Sequence, residues 1–122
     1  LGFHFLTALI AKITSWDALT AIRLVGPALL VLPIPVLYFV GKRLFTSAAG
    51  AFAAAAWAFL ALAPVRAYGD GNYPNMLAGG VLLPLGLLFL LESIRQPNRK
   101  TIISTAAIFV AVAFVHHLAF VY

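Results

Sequence analysis

A polar stretch from Pro64 to Met76 carries most of the side chains in this sequence that could do chemistry. Asp70 lies near its centre between two glycines, and it is the only carboxylate of the stretch. A carboxylate there can bind a cation, accept hydrogen bonds from sugar hydroxyls or act as a base. It can also be a simple turn residue, since Asp-Gly is a common turn dipeptide. The other polar candidates are a guanidinium, two phenols and two amides: Arg66, Tyr68, Asn72, Tyr73 and Asn75.

Each of these candidates has a structural alternative. Arg66 can pair with a phosphate, or it can anchor a helix end by reaching towards the membrane surface. Tyr68 and Tyr73 suit a sugar-contact surface, but tyrosines also populate the aromatic belts of membrane proteins. Asn75 can bind a ligand or cap the helix that follows it. The sequence leaves these alternatives open.

Three histidines form a second group of candidates. His116 and His117 lie within an apolar run, where ionisable side chains are functional candidates by default. Adjacent helical residues point about 100° apart, so this pair is not expected to ligate one metal ion together. If their helix begins near Ile102, they lie about 21 Å along it, on the same side as the polar stretch. His4 belongs to a short apolar segment at the start of the chain.

The composition predicts the elements that must position these residues. Of the 122 residues, 64% are hydrophobic and 9% are charged, and the mean hydropathy is +1.06. These values are typical of a polytopic membrane protein, and the length suits about four spans of roughly 20 residues. We therefore predict an all-α transmembrane helix bundle that forms one domain and is a piece of a longer protein. The predicted helices cover approximately residues 1–13, 24–41, 48–63, 75–92 and 102–122, the first being truncated or juxtamembrane.

The basic residues predict a topology. Lys42 and Arg43 lie in one connection and Arg95, Arg99 and Lys100 in another. The positive-inside rule makes both connections, residues 42–47 and 93–101, cytoplasmic, with residues 14–23 and 64–74 outside the cell membrane. The net charge of +5 is scattered between apolar runs, so it predicts a bilayer as partner and no nucleic acid.

Local signals mark where helices begin, bend and pack. Thr14 or Ser15 is predicted to cap a helix with Asp17 in its first turn, and Arg23 is placed at the next boundary. The prolines at 33 and 35 predict a kink, and residues 79, 80 and 84 predict an irregular span. Gly50 in an Ala-rich run indicates close helix packing, Pro64 is expected to end that run, and Glu92 is expected to be a solvated or ion-paired surface group.

Several classes of site are excluded. The chain has no Cys, and its histidines do not have zinc-site spacing. It also lacks a Gly-rich phosphate loop ending in Gly-Lys and a Gly-x-Ser-x-Gly nucleophile elbow.

The order of features resembles the core of the GT-C glycosyltransferases, polytopic enzymes that use lipid-phosphate sugars. The matching features are, in order, Gly2-Phe-His4, Asp17, Arg23, Pro27, Tyr38, Gly41-Lys-Arg-Leu-Phe45, an Ala-rich span before Pro64, Tyr68 and Pro74-Asn-Met-Leu77. The superfamily includes protein mannosyltransferases and the aminoarabinose and arabinofuranosyl transferases. The run from Gly71 to Leu77, with the later His-His pair, looks most like uncharacterised archaeal and bacterial members.

The resemblance implies roles for the candidates. Asp70 would assist a divalent metal ion or the acceptor, and Arg66 would contact the phosphate of a polyprenyl-phosphate sugar. The sugar pocket would be formed by Tyr68, Asn72, Tyr73, Asn75, His4 and either His116 or His117. In some relatives an acidic residue follows the proline of this loop, where this chain has Asn75. The family's main acidic catalytic loop would precede Leu1.

Two other functions compete with a glycosyltransferase. The interrupted spans and the intramembrane histidines also suit a multi-pass transporter, whose polar groups would continue to the cytoplasmic side. A membrane subunit without chemistry of its own is the third alternative.

Overall fold

Every regular element in the described part of the chain is helical. The structure, a computed structural model, describes residues 2–70 and 73–115; at residues 2, 3, 63, 67 and 70 it describes the backbone alone. The helices are α1 (Gly2–Thr14), α2 (Ala18–Val31), α3 (Pro33–Leu44), α4 (Ser47–Phe59), α5 (Ala63–Asp70), α6 (Tyr73–Asn75), a π-helical segment (Met76–Leu82), α7 (Leu83–Arg95) and α8 (Arg99–Val115).

Three helical stretches are long and apolar enough to cross a membrane: Ala18–Leu44, Ser47–Arg66 and Tyr73–Arg95. A shorter apolar helix, His4–Thr14, precedes them. These helices confirm the predicted all-α membrane bundle. The predicted last span is described only as α8, because residues 116–122 lie outside the described residues.

The first and third long stretches run parallel. A Cβ on Gly26 would lie 2.8 Å from the Tyr73 ring, and a Cβ on Gly80 would lie 2.8 Å from Pro33. At the far end, Arg43 Nε donates to Glu92 Oε1 at 2.7 Å. The three contacts follow the same order along both stretches, so the chain between them crosses the bundle in the opposite direction.

The predicted irregularities lie together in the middle of the bundle. Leu32 separates α2 from α3, and Pro33 begins α3. Pro33 packs against the π-helical segment at Gly80, where the sequence predicted an irregular span. The indole of Trp57 donates to the Leu30 carbonyl at 3.3 Å across the same region. Proline removes backbone donors, so such cross-helix contacts cover a segment that is weak in hydrogen bonds.

Small residues bring α3 and α4 together, as the Ala-rich run predicted. Gly50 is buried, and a Cβ there would lie 2.4 Å from the Tyr38 carbonyl oxygen. A Cβ on Gly41 would meet the Gly50 Cα at 2.7 Å. The two backbones therefore touch, which is the geometry that glycine allows in membrane helices.

The predicted loop from residue 64 to residue 74 is wrong over most of its length. Pro64 is the second residue of α5, which continues to Asp70, and Tyr73 already begins the next helical stretch. Proline is favoured in the first helical turn because its missing N–H has no intrahelical partner there. Pro64 thus lies in the first turn of a helix, and the prediction that it ends one is wrong.

The predicted start of the first span is also wrong. Asp17 is the N-cap of α2, and α2 begins at Ala18, so Arg23 lies inside the helix and not at a boundary. Ser15, proposed as a cap, has a φ of 59° at the end of α1. This left-handed conformation commonly ends a helix, although glycine or asparagine usually adopts it.

The two basic connections are shorter than predicted, and they lie at one end of the bundle. α3 continues to Leu44, and only residues 96–98 separate α7 from α8. The ion pair between Arg43 and Glu92 joins the ends of α3 and α7 that lead into these connections, and it agrees with the predicted ion-paired role of Glu92.

Candidate functional site

A cavity of about 570 Å³ lies at the end of the bundle where α2, α5 and Tyr73 meet. We call it the tyrosine cavity. Its lining residues are Ile22, Arg23, Pro27, Tyr68, Gly69 and Tyr73. It brings together two predicted candidates, Tyr68 and Tyr73, which approach from different helices. One guanidinium, two phenol rings and apolar walls therefore surround a single space.

Gly26 controls how the tyrosine cavity is built. It is buried in α2, and the Tyr73 ring occupies the place that a side chain at position 26 would fill. Tyr73 also packs on a small core of two buried α2 residues, Val25 and Leu29. Leu6 and Ile10 of α1 and Leu77 pack on the same core. The ring of Tyr73 is thus packed against α2, over Gly26 and beside the core residues Val25 and Leu29.

Arg23 supplies the positive charge of the cavity. It is exposed and lies one and a half turns after the start of α2. The nearest acid along the chain is Asp17, whose Oδ2 accepts from the Thr20 hydroxyl at 2.5 Å and whose Oδ1 accepts from the Thr20 backbone N–H at 3.0 Å. These hydrogen bonds lower the pKa of the Asp17 carboxyl below its ordinary value. Asp17 is therefore engaged as a helix cap.

Arg66 does not line the tyrosine cavity. It is exposed on α5 two residues before Tyr68, so the two side chains leave the helix about 200° apart. Asn75 is half-buried and makes no capping hydrogen bond, because the helix runs through it from Tyr73. The capping alternative for Asn75 is therefore wrong.

Several predicted candidates lie outside what the structure describes. Asn72, His116 and His117 are outside the described residues, and Asp70 is described by its backbone at the end of α5. His4 is exposed in the first turns of α1, where its carbonyl accepts from the Thr7 hydroxyl at 3.0 Å. Their assignment to a ligand site stays a prediction.

The described side chains do not assemble a metal site. Within residues 2–70 and 73–115, no three His, Asp or Glu side chains come together as ligands. A divalent ion would need oxygen ligands from several residues. The tyrosine cavity instead offers a cation and neutral hydroxyls, which suit an anionic or sugar ligand.

Sequence reasoning placed Arg23 only at a boundary and did not select Ile22 or Pro27 as site residues. A signal was present, because Arg23 is the only charged residue in an otherwise apolar run and Gly26 follows at the next turn. This signal could not be assigned to a site, because the cavity also needs Tyr68 and Tyr73, which lie more than forty residues further along the chain.

The fold defines a helical membrane protein with a cavity at one end of its bundle, where one guanidinium and two phenols stand among apolar walls. Comparison with protein-family models, curated proteins and solved structures returned no match for this chain.

Proposed function

We propose that this chain is part of an integral membrane glycosyltransferase of the GT-C type, which transfers a sugar from a polyprenyl-phosphate carrier to an acceptor at the outer membrane face. The tyrosine cavity is the observation that carries the proposal. Its charge and aromatic content match a ligand that has a phosphate, a sugar and an apolar chain. The resemblance of the sequence to GT-C enzymes supports the same assignment.

Arg23 takes the role of the phosphate contact that the resemblance suggested for Arg66. A guanidinium forms charge-assisted hydrogen bonds with phosphate oxygens, and Arg23 lines the cavity whereas Arg66 does not. Tyr68 and Tyr73 offer ring faces and hydroxyls to the sugar. The orientation that fits this role places the tyrosine cavity outside and residues 42–47 and 93–101 in the cytoplasm.

The surface beside the cavity suits an isoprenoid chain. Ile22 lines the cavity, and Leu19, one turn earlier on α2, is an exposed apolar residue. Val65 is exposed one turn before Tyr68 on α5. Residues three apart share a helix face, so both helices present apolar side chains next to the tyrosine cavity.

Photocrosslinking tests the proposal directly. The purified chain in lipid nanodiscs is irradiated with a photoreactive polyprenyl phosphate, and the labelled peptides are identified by mass spectrometry. We expect labelling around Tyr68 and Tyr73, and about tenfold weaker binding in Arg23→Gln because one charged hydrogen bond is lost. Lys12→Gln, which removes an exposed charge from α1, should bind like the wild type. The sugar-loaded carrier should compete better than the unloaded one.

Two results would count against the glycosyltransferase. Labelling confined to the opposite end of the bundle, around residues 38–43, would show that the tyrosine cavity does not bind the carrier. Equal competition by the loaded and the unloaded carrier would show that the site does not recognise the sugar.

A transporter is the second candidate, and the contact between Pro33 and Gly80 favours it. Two interrupted helices meet there, as they do at the midplane sites of many transporters. Because the chain has no Cys, single substitutions can report water access without background. In a transporter, Ala78→Cys beside this contact should react with a membrane-impermeant thiol reagent. In a transferase of this design, Tyr68→Cys should react while Ala78→Cys stays protected, since Ala78 is buried.

A further inference from the structure

Two adjoining cavities lie at the end of the bundle opposite the tyrosine cavity, and they share Arg43. One, of about 330 Å³, is lined by Tyr38, Phe39, Lys42 and Arg43. The other, of about 220 Å³, is lined by Arg43, Glu92, Arg95 and Gln96. We call the seven lining residues of these two cavities the basic end. It joins the last turn of α3 to the last turn of α7.

The charges of the basic end favour an anion. Its lining contains three cations, Lys42, Arg43 and Arg95, against one carboxylate, Glu92. The ion pair uses Arg43 Nε, which is one of the five N–H donors of a guanidinium. The Arg43 side chain is 63% exposed, so the rest of its guanidinium is within reach of a ligand.

The aromatic residues place this end at the level of lipid headgroups. The Lys42 ammonium lies 5.8 Å from the centre of the Tyr38 ring, a distance at which a cation and a ring attract each other. Tyr38 and Phe39 are both exposed. Aromatic and basic side chains at a helix end are typical of the boundary between the hydrocarbon core and the headgroups.

An apolar track leads away from the basic end into the membrane-depth part of α3. Leu32, Pro35 and Phe39 are exposed, and their spacing of three and four residues puts them on one helix face. Seven residues correspond to about 10 Å of helix, which is room for the first part of an acyl chain. Phe39 belongs to both the track and the cavity.

We propose that the basic end is a binding site for an anionic phospholipid. The headgroup phosphate lies between Arg43 and the neighbouring cations Lys42 and Arg95, and one acyl chain follows the track from Phe39 to Leu32. The inference does not depend on the glycosyltransferase, since it concerns other residues at the opposite end of the bundle. Glu92 acts in two ways, because it orients Arg43 and also repels the phosphate.

Lipid titration followed by native mass spectrometry tests this site. The purified chain in neutral detergent is titrated with phosphatidylglycerol or with phosphatidylcholine of the same acyl length. We expect preferential binding of phosphatidylglycerol, about tenfold weaker in Arg43→Gln. Arg43→Lys should keep part of the affinity as a point charge. The matched control Lys12→Gln should bind phosphatidylglycerol like the wild type.

Glu92→Gln separates a lipid site from a purely structural ion pair. If Arg43 and Glu92 only hold the helix ends together, both substitutions should weaken lipid binding or leave it unchanged. If Arg43 binds phosphate, Glu92→Gln should strengthen phosphatidylglycerol binding several-fold while Arg43→Gln weakens it, since a like charge has been removed.

A measurement on the wild type covers the case in which a variant does not fold. Binding of phosphatidylglycerol should fall as ionic strength rises, because salt screens exposed charges. Equal retention of both lipids would overturn the proposal, and so would an equal loss in Lys12→Gln. Displacement of phosphatidylglycerol by inorganic phosphate at the same concentration would overturn it too, since the ligand would then be a soluble anion.

Discussion

The two ends of the long stretch Ala18–Leu44 carry sites of different construction. Arg23 and Arg43 are 20 residues apart, about 30 Å along a helix, which matches the thickness of a bilayer core. The basic end is built at the tips of two helices and is joined by one exposed ion pair. The tyrosine cavity is formed by three separate segments and depends on a glycine that admits a ring. Charge therefore defines one end, and packing defines the other.

The tyrosine cavity and the basic end should respond to different kinds of substitution. A site made of exposed charges responds to charge removal and to salt, but its helices do not depend on the pair. A site made by close packing responds to one added methyl group.

Gly50→Ala should have the largest effect on stability. The added Cβ would lie 2.4 Å from the Tyr38 carbonyl oxygen, and backbone cannot move aside as a side chain can. We expect a loss of about 1–3 kcal/mol or more in the free energy of unfolding, measured by thermal denaturation in detergent. This loss would show that the close backbone packing of α3 on α4 stabilises the helix that carries the basic end.

Gly79→Ala is the matched control for this loss. An added Cβ at Gly79 meets no atom within 4 Å, so the stability should stay the same or rise by up to about 1 kcal/mol. Equal melting temperatures for the two variants would refute the close contact between α3 and α4.

Gly26→Ala should act on the tyrosine cavity with a smaller cost in stability. The new Cβ would lie 2.8 Å from the Tyr73 ring, which is a side chain and can rotate away. We expect crosslinking of the polyprenyl-phosphate probe to fall several-fold, while phosphatidylglycerol binding at the basic end stays unchanged. An equal loss of binding for both ligands would instead indicate general unfolding, and the two ends would then not be independent sites.

The ion pair at the basic end should contribute little to stability. Arg43 and Glu92 are 2.7 Å apart, but the Arg43 side chain is mostly exposed. A double-mutant cycle with Arg43→Gln and Glu92→Gln should give a coupling of less than about 1 kcal/mol, and salt should reduce it further. A coupling well above this value would mean that the pair is shielded from water and that packing also dominates the basic end.

Asp17 should produce the smallest effect, and one that depends on pH. Hydrogen bonds from Thr20 lower the pKa of its carboxyl in the folded chain, so ionised Asp17 stabilises the fold above the pKa of the unfolded chain. This contribution should disappear as the pH falls below about 4, through the lowered pKa. Melting curves between pH 7 and pH 3 should show the difference, with Asp17→Asn losing less stability on acidification. Identical pH profiles would exclude the Thr20 contact.

Local sequence signals predicted that the charged residues of the basic end lie near the ends of spans, although Lys42 and Arg43 were expected in a connection and lie in the last turn of α3. Lys42, Arg43 and Glu92 sit beside apolar runs, and a charged residue next to a span is expected at the membrane surface whatever its neighbours are. Gly50 in an Ala-rich run likewise predicted close packing. The helix interruption at Leu32, before Pro33, and the irregular segment around Gly80 followed from covalent properties of proline and glycine.

The tyrosine cavity could be predicted only in part. Tyr68 and Tyr73 were selected because they lie in the densest polar stretch, but that stretch was expected to be a loop. Pro64 is compatible with either the end or the start of a helix, and the packing of α5 on α2 decides which one occurs. Arg23 received no ligand role because its partners in the cavity are remote in the sequence.

Composition and single residues were enough to predict an all-α membrane bundle, charged residues near the ends of its spans and the places where its helices are interrupted. Tertiary structure decided which residues share a cavity. Arg23 meets Tyr68 and Tyr73, while Arg66 points elsewhere, because Gly26 lets two parallel helical stretches approach and α5 presents one face to them. Contacts between remote residues depend on the register and rotation of whole helices, which no local pattern specifies.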